Sequence, residues 1–128
     1  MTEKQQEASV LHEKGFNCAQ AVALPFCEEL GMPAKFAMKA LEGFGAGMGD
    51  RMQACGALSG AVFVAGLKHS DGNLEAPASK AATYQHCSKI CRAFERQCGS
   101  TICREIKEGA KVSCGECIAL GVKLAEEI

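Results

Sequence analysis

The sequence predicts an all-α fold, a single-domain up-and-down bundle of about five to six helices spanning residues 1–128. Three observations lead there. No stretch alternates apolar and polar residues over a useful length, whereas apolar residues recur at the 3.6-residue helical period. Breaks between these stretches are short, which favours antiparallel neighbours. At 128 residues with 48% hydrophobic content, the chain can bury one core.

The first helix is expected over Glu3–Lys14, stopped by Gly15. The second runs over Cys18–Leu30, with Ala19, Val22, Ala23, Phe26 and Leu30 on one face. Pro25 should bend it and Gly31 end it. Pro33 opens a third helix whose stripe is Phe36, Ala37, Ala40, Leu41 and Phe44. Residues Gly43 to Asp50 then place a glycine at every second position up to Gly49, a pattern that opposes helix. A fourth, nearly all-apolar helix follows to about Lys68. Its uncharged stretch, Met52–Leu67, is shorter than the roughly 20 residues that span a bilayer, so no membrane insertion is expected. Ser70-Asp71-Gly72-Asn73 reads as a loop. The fifth helix covers about Ala76–Gln97, with Gly99 as its stop. A short helical turn near Thr101–Lys107 leads to the last helix, which begins at Cys114. That helix lines up Cys117, Ile118, Gly121, Leu124, Ala125 and Ile128.

Net charge is −1, which argues against a nucleic-acid groove and against nucleic acid as a partner. Met1–Glu7 is polar, with no basic start and no apolar run, so no signal peptide is seen and a cytoplasmic location is expected. In that compartment nine cysteines, an odd number, do not read as a disulfide framework. Metal binding or redox chemistry is the leading explanation.

Four of the cysteines sit at or just after helix-start signals. Asn17 precedes Cys18, Asp50 precedes Cys55, Ser100 precedes Cys103, and Ser113 precedes Cys114. Asn17/Gln20, Asp50/Gln53 and Ser113/Glu116 have capping-box spacing. Free N–H groups and the positive end of the helix dipole favour thiolate there. In an up-and-down bundle the second, fourth and last helices share an N-terminal pole, and the fifth finishes at it. Cys18, Cys55, Cys103 and Cys114 are therefore expected to converge, as catalytic thiols or as ligands to one metal.

Cys114-Gly115-Glu116-Cys117 adds a C-x-x-C at a helix start, suited to a redox dithiol or to two ligands of one metal. A second such pair, which a zinc ribbon would need, is absent. Cys27 lies about 180° round its helix from Cys18 and reads as a buried apolar thiol. Tyr84, Cys87, Cys91, Phe94 and Cys98 form one stripe, read as core; Cys98 is near enough to the pole to take part. Gly45, Gly47 and Gly49 form either a flexible connection or a loop whose amides donate to bound sulfur. Gly56, beside Cys55, permits close backbone approach, of a neighbouring helix or of an inorganic group. His12, His69 and His86 read as surface residues, and Met48 and Met52 as packing.

Cys18 within Gly-Phe-Asn-Cys-Ala-Gln-Ala-Val, the glycine loop, Cys55-Gly56-Ala57-Leu58-Ser59-Gly60, Gly99-Ser100-Thr101-Ile102-Cys103 and a late cysteine form one combined pattern. With it, the sequence from about Phe16 onward resembles the C_GCAxxG_C_C family of redox-active proteins. The resemblance implies that Cys18, Cys55, Cys103 and Cys114 correspond to the family's recurring cysteines. The departures are Ala54, where the family name carries a glycine, and the further cysteines Cys27, Cys87, Cys91, Cys98 and Cys117.

Three functions stay open on the sequence. The first is electron transfer through an iron–sulfur or other thiolate-bound metal centre on Cys18, Cys55, Cys103 and Cys114, with Cys117 or Cys98 as substitutes. The second is metal-free thiol–disulfide exchange, in which no cofactor is needed. The third is a non-enzymatic bundle with structural zinc. A redox partner protein is expected for the first two. The basic excess between Lys80 and Lys111 is either a solvated face or a docking surface for an acidic partner. Exposed apolar surface on so small a bundle makes a homodimer a further expectation.

Overall fold

Helices form where apolar residues repeat at helical spacing, and they break at glycine, proline or a capping side chain. In the computed structural model, which describes Met1–Ile128, they are α1 (Glu3–Glu13), α2 (Cys18–Cys27), α3 (Ala34–Leu41), α4 (Gly56–His69), α5 (Lys80–Cys98), α6 (Cys103–Gly109) and α7 (Cys114–Glu126). The seventh helix is α6, the segment expected as a short turn. No helix is long and apolar enough to cross a membrane.

Three helices, α2, α4 and α7, pack on one another at the centre. α1 lies against α2 and α7, α5 against α4 and α7, and α3 against α2. Val22, Phe26, Val64, Phe94, Ile118 and Val122 fill the interior. Few aromatics are present, so density comes from close backbone approach instead. A Cβ added at Gly60 would lie 2.7 Å from the Ala19 carbonyl oxygen, and one at Gly121 2.8 Å from that of Ala57. These glycines let α4 meet α2, and α7 meet α4, at backbone range.

Several boundaries and faces differ from expectation. α2 stops at Cys27 rather than Leu30, and the Met32 N–H bonds the Cys27 carbonyl at 2.9 Å to turn the chain. α5 begins at Lys80 rather than Ala76 because side chains claim the earlier amides. Asp71 accepts from the N–H groups of Asn73 and Ala78, and Asn73 from those of Glu75 and Ala76. On α3 only Ala37 and Leu41 are buried, while Phe36 is 60% exposed. The helix is short and rests mainly on α2, so its buried line is two residues wide, and Phe44 falls beyond its end. Met48, Met52 and Tyr84 are also exposed rather than packed. The imidazoles of His69 and His86 stack at 3.8 Å and are half-buried, not free on the surface.

The close approach at Gly60 has a measurable consequence. Gly60→Ala should destabilise the fold by about 1–3 kcal/mol, since the new methyl meets backbone that cannot swing away. Gly66→Ala, in the same helix but with nothing within 4 Å of the added Cβ, should stabilise it by about 0.5–1 kcal/mol. Denaturant unfolding of both variants checks the contrast. Equal effects would remove backbone approach as the packing constraint.

Candidate functional site

The N-termini of α2, α4 and α7 meet at one pole, and α6 begins there too. Each of these four helices delivers a cysteine in or next to its first turn: Cys18, Cys55, Cys114 and Cys103. All four line a single small cavity, together with Cys117, Ala46, Gly56, Ile106, Lys107 and Val112. Cys55 and Cys103 are buried, and Cys18 and Cys114 half-buried.

Local chemistry sets each thiol in place. Asn17 Oδ1 accepts the Gln20 N–H at 2.8 Å, and Gln20 Oε1 accepts the Asn17 N–H at 2.9 Å, a complete capping box ahead of α2. The same two side chains reach outward. Asn17 Nδ2 donates to the Glu42 carbonyl at 3.0 Å, and Gln20 Nε2 to that of Met38 at 2.9 Å, tying α2 to α3. Ser113 and Glu116 form a matching box ahead of α7.

The other two expected caps do different work. Asp50 Oδ1 accepts from the Met52 N–H at 2.9 Å, which closes a turn inside the loop and leaves α4 uncapped by any side chain. Cys55 itself is the residue preceding α4. Ser100 accepts from the Ile102 N–H and donates to Glu105, while Ile102 precedes α6. In place of caps, these segments bond each other. The Cys55 N–H donates to the Thr101 carbonyl at 2.8 Å and the Cys103 N–H to that of Gln53 at 2.9 Å, around an isolated antiparallel bridge between Ala54 and Ile102.

The glycine loop forms a short 3₁₀ turn at Glu42–Phe44 and an irregular turn at Gly47–Arg51. Ala46, Met48 and Arg51 take left-handed φ of 52°, 63° and 67°, conformations that persist only when the surroundings enforce them. Gly47, at φ +58°, leaves 2.6 Å between its missing Cβ and that of Cys103. A Cβ on Gly45 would meet Asn17 at 2.5 Å, and one on Gly56 would sit 3.2 Å from the Cβ of Cys18. Three glycines thus press against cysteine-bearing segments. Gly49 faces open space.

The electrostatics favour thiolate at Cys55. Cys55 is pulled down to about 6, chiefly by a hydrogen bond with Cys117 and, against its burial, by the amides of Ala57 and Leu58 and the Lys107 charge. Cys18 is pushed up to about 12 by burial and then by Cys55, Cys114 and Cys103. Burial also raises Cys98 and Cys103, while Cys117 rises first through its bond to Cys55. Cys117 Sγ lies 3.9 Å from Cys98 Sγ. No group of three or more His, Cys, Asp or Glu side chains is arranged to hold a metal ion.

The remaining cysteines stand elsewhere. Cys27 is buried, with Sγ 3.4 Å from the Ala23 carbonyl oxygen. Cys87 and Cys91 are half-buried against the core on α5. Lys107 is a cavity residue that sequence reasoning passed over. Its spacing from Cys103, i and i+4, puts both on one face of a helix and was the available signal.

Residues 16–128 match a family described as "Putative redox-active protein (C_GCAxxG_C_C)". The chain belongs to that family. No curated protein matches it, and no solved structure does. Within the C_GCAxxG_C_C match lie all nine cysteines and the whole cavity wall.

A pH titration follows from the thiol environment. In reduced, metal-free protein, thiolate ultraviolet absorbance should report an ionising cysteine with a midpoint near about 6. Lys107→Gln should move that midpoint upward, because a favourable cation is lost. Cys55 is depressed from 9.0, so its contribution to stability is full above about 9 and lost as pH falls through about 6. Unfolding midpoints should therefore rise between about pH 6 and pH 9. A thiol titration that begins only above about pH 8 would contradict this account.

Proposed function

We propose that this chain carries electrons through an iron–sulfur or related thiolate-bound metal centre held by Cys18, Cys55, Cys103 and Cys114. The observation supporting it is that four helices, remote in sequence, each bring one thiol to the wall of one cavity. The donor set is sulfur alone, and soft thiolates suit iron. Thiols that surround a space without converging on a point suit a polynuclear core better than a single ion. The cavity is small, about 50 Å³, so binding also requires its wall to yield.

Such a centre, when bound, accepts and releases an electron at a potential set by its surroundings. The chain supplies those surroundings. Ile106 and Val112 exclude water, the α4 amides and Cys117 favour the charged form of Cys55, and Lys107 offsets negative charge. We expect an acidic protein as the electron partner, because Arg104, Lys107 and Lys111 are exposed at this pole.

Thiol–disulfide exchange is the second reading, supported by the lowered Cys55 and the Cys98–Cys117 spacing of 3.9 Å. Burial ranks it lower. Cys55 is 7% exposed and Cys117 2%, yet a partner disulfide must touch the sulfur that attacks it. An electron needs no such contact.

Purification without oxygen, followed by visible absorption and iron and sulfide analysis, separates the two. The first reading expects coloured protein containing iron and acid-labile sulfide, both lost in Cys55→Ser and Cys103→Ser. Colourless, iron-free protein whose free-thiol count changes between reducing and oxidising buffers would leave exchange in its place.

A further inference from the structure

Cys98 and Cys117 are additional to the four thiols assigned above; Cys117 is buried in the cavity wall and Cys98 is buried next to it. Cys98 ends α5 and Cys117 lies in the first turn of α7, their sulfurs 3.9 Å apart. Cys117 also lines the same small cavity as Cys55. The backbone approach of α7 to α4 at Gly121, one turn further along, fixes that neighbourhood. Three sulfurs therefore form a chain of neighbours from the cavity into the core: Cys55, Cys117, Cys98.

We propose that this chain is a repair relay, which moves an oxidising equivalent from Cys55 to a Cys98–Cys117 disulfide when hydrogen peroxide enters the cavity of the metal-free protein. The cavity, about 50 Å³, admits a molecule near the size of water. A disulfide-bearing protein could not reach these sulfurs, with Cys98 3% exposed.

The steps balance. The Cys55 sulfur attacks one peroxide oxygen, the O–O bond breaks, and Cys55 becomes a sulfenic acid as hydroxide leaves. Cys117 attacks the Cys55 sulfur, its thiol proton departs with the sulfenic hydroxyl as water, and a Cys55–Cys117 disulfide forms. Cys98 then attacks Cys117, releasing Cys55 as a thiolate. The Cys98 proton neutralises the hydroxide. In sum, two thiols give two electrons and two protons, and one peroxide becomes two waters. The final bond requires the two sulfurs to close from 3.9 Å to about 2.05 Å. Two packed helices permit this by side-chain rotation and a small shift. Cys55 ends free to serve again.

The relay operates in metal-free protein, so its failure and the failure of the metal reading are distinguishable. Full-length, reduced, metal-free protein would be treated with one equivalent of hydrogen peroxide, alkylated, and peptide-mapped without reduction. The free-thiol count should fall by two from nine, with Cys98 joined to Cys117 and Cys55 alkylated. Cys98→Ser should instead accumulate the Cys55–Cys117 disulfide, and Cys55→Ser should form the Cys98–Cys117 bond about tenfold more slowly or worse. An unchanged rate in Cys55→Ser overturns the relay. So does wild-type protein in which Cys98 and Cys117 stay free while Cys55 carries sulfinic acid or pairs with Cys18 or Cys114. That wild-type map decides the matter even if a variant fails to fold.

Discussion

Two backbone hydrogen bonds, from the Cys55 N–H to the Thr101 carbonyl and from the Cys103 N–H to that of Gln53, hold the cysteine pole together. The first amides of any helix lack intrahelical partners and must find others. At α2 and α7 a capping box serves those amides. At α4 and α6 no side chain caps, and the amide of the cysteine itself reaches across to the other segment. The bonds that satisfy these two helix starts are thus the same ones that fix the spacing of two cavity thiols. Breaking either would free a buried amide and move a sulfur together, which couples the integrity of the fold there to the geometry of the site.

That coupling explains the shape of the glycine loop. To pass from α3 into α4, the chain must run against Asn17, Cys103 and Cys18 between Gly45 and Gly56. Gly45, Gly47 and Gly56 are where those contacts would collide with a Cβ. The left-handed Ala46, Met48 and Arg51 keep the intervening backbone tightly curled at a steric cost of about 1–3 kcal/mol each. Such strain persists because both ends of the loop are anchored, one by Asn17 and one by the bridge. In the resulting cavity burial, and then the neighbouring sulfurs, push the Cys18 thiol up, whereas Cys55 is drawn down towards thiolate.

Much of this was legible in the residues, for identifiable reasons. Capping boxes are local, so Asn17/Gln20 and Ser113/Glu116 could be read from spacing alone. The parallel sense of α2, α4 and α7 followed from helix count and short connections. Asp50 and Ser100 misled because a short polar side chain bonds whichever amide is nearest, and each closes a two-residue turn before any helix begins. The bridge left no trace, since a single antiparallel pair has no period to detect. Lys107 and the outward bonds of Asn17 and Gln20 depend on which segment folds against them, information that spacing does not carry.

The C-x-x-C of α7 shows how the same spacing can divide labour instead of forming a pair. Three residues along a helix advance about 300°, leaving Cys114 and Cys117 roughly 60° apart around the axis and about one turn apart along it. Cys114 stays half-buried on the cavity wall, whereas Cys117 turns inward and is buried between Cys55 and Cys98. Its sulfur lies 3.9 Å from that of Cys98 on α5. A dithiol motif at a helix start implies a shared disulfide only when nothing else competes for the inner sulfur. Here Cys98 competes, because Gly99 stops α5 beside the first turn of α7. Packing, rather than sequence proximity, therefore chooses the partner of Cys117.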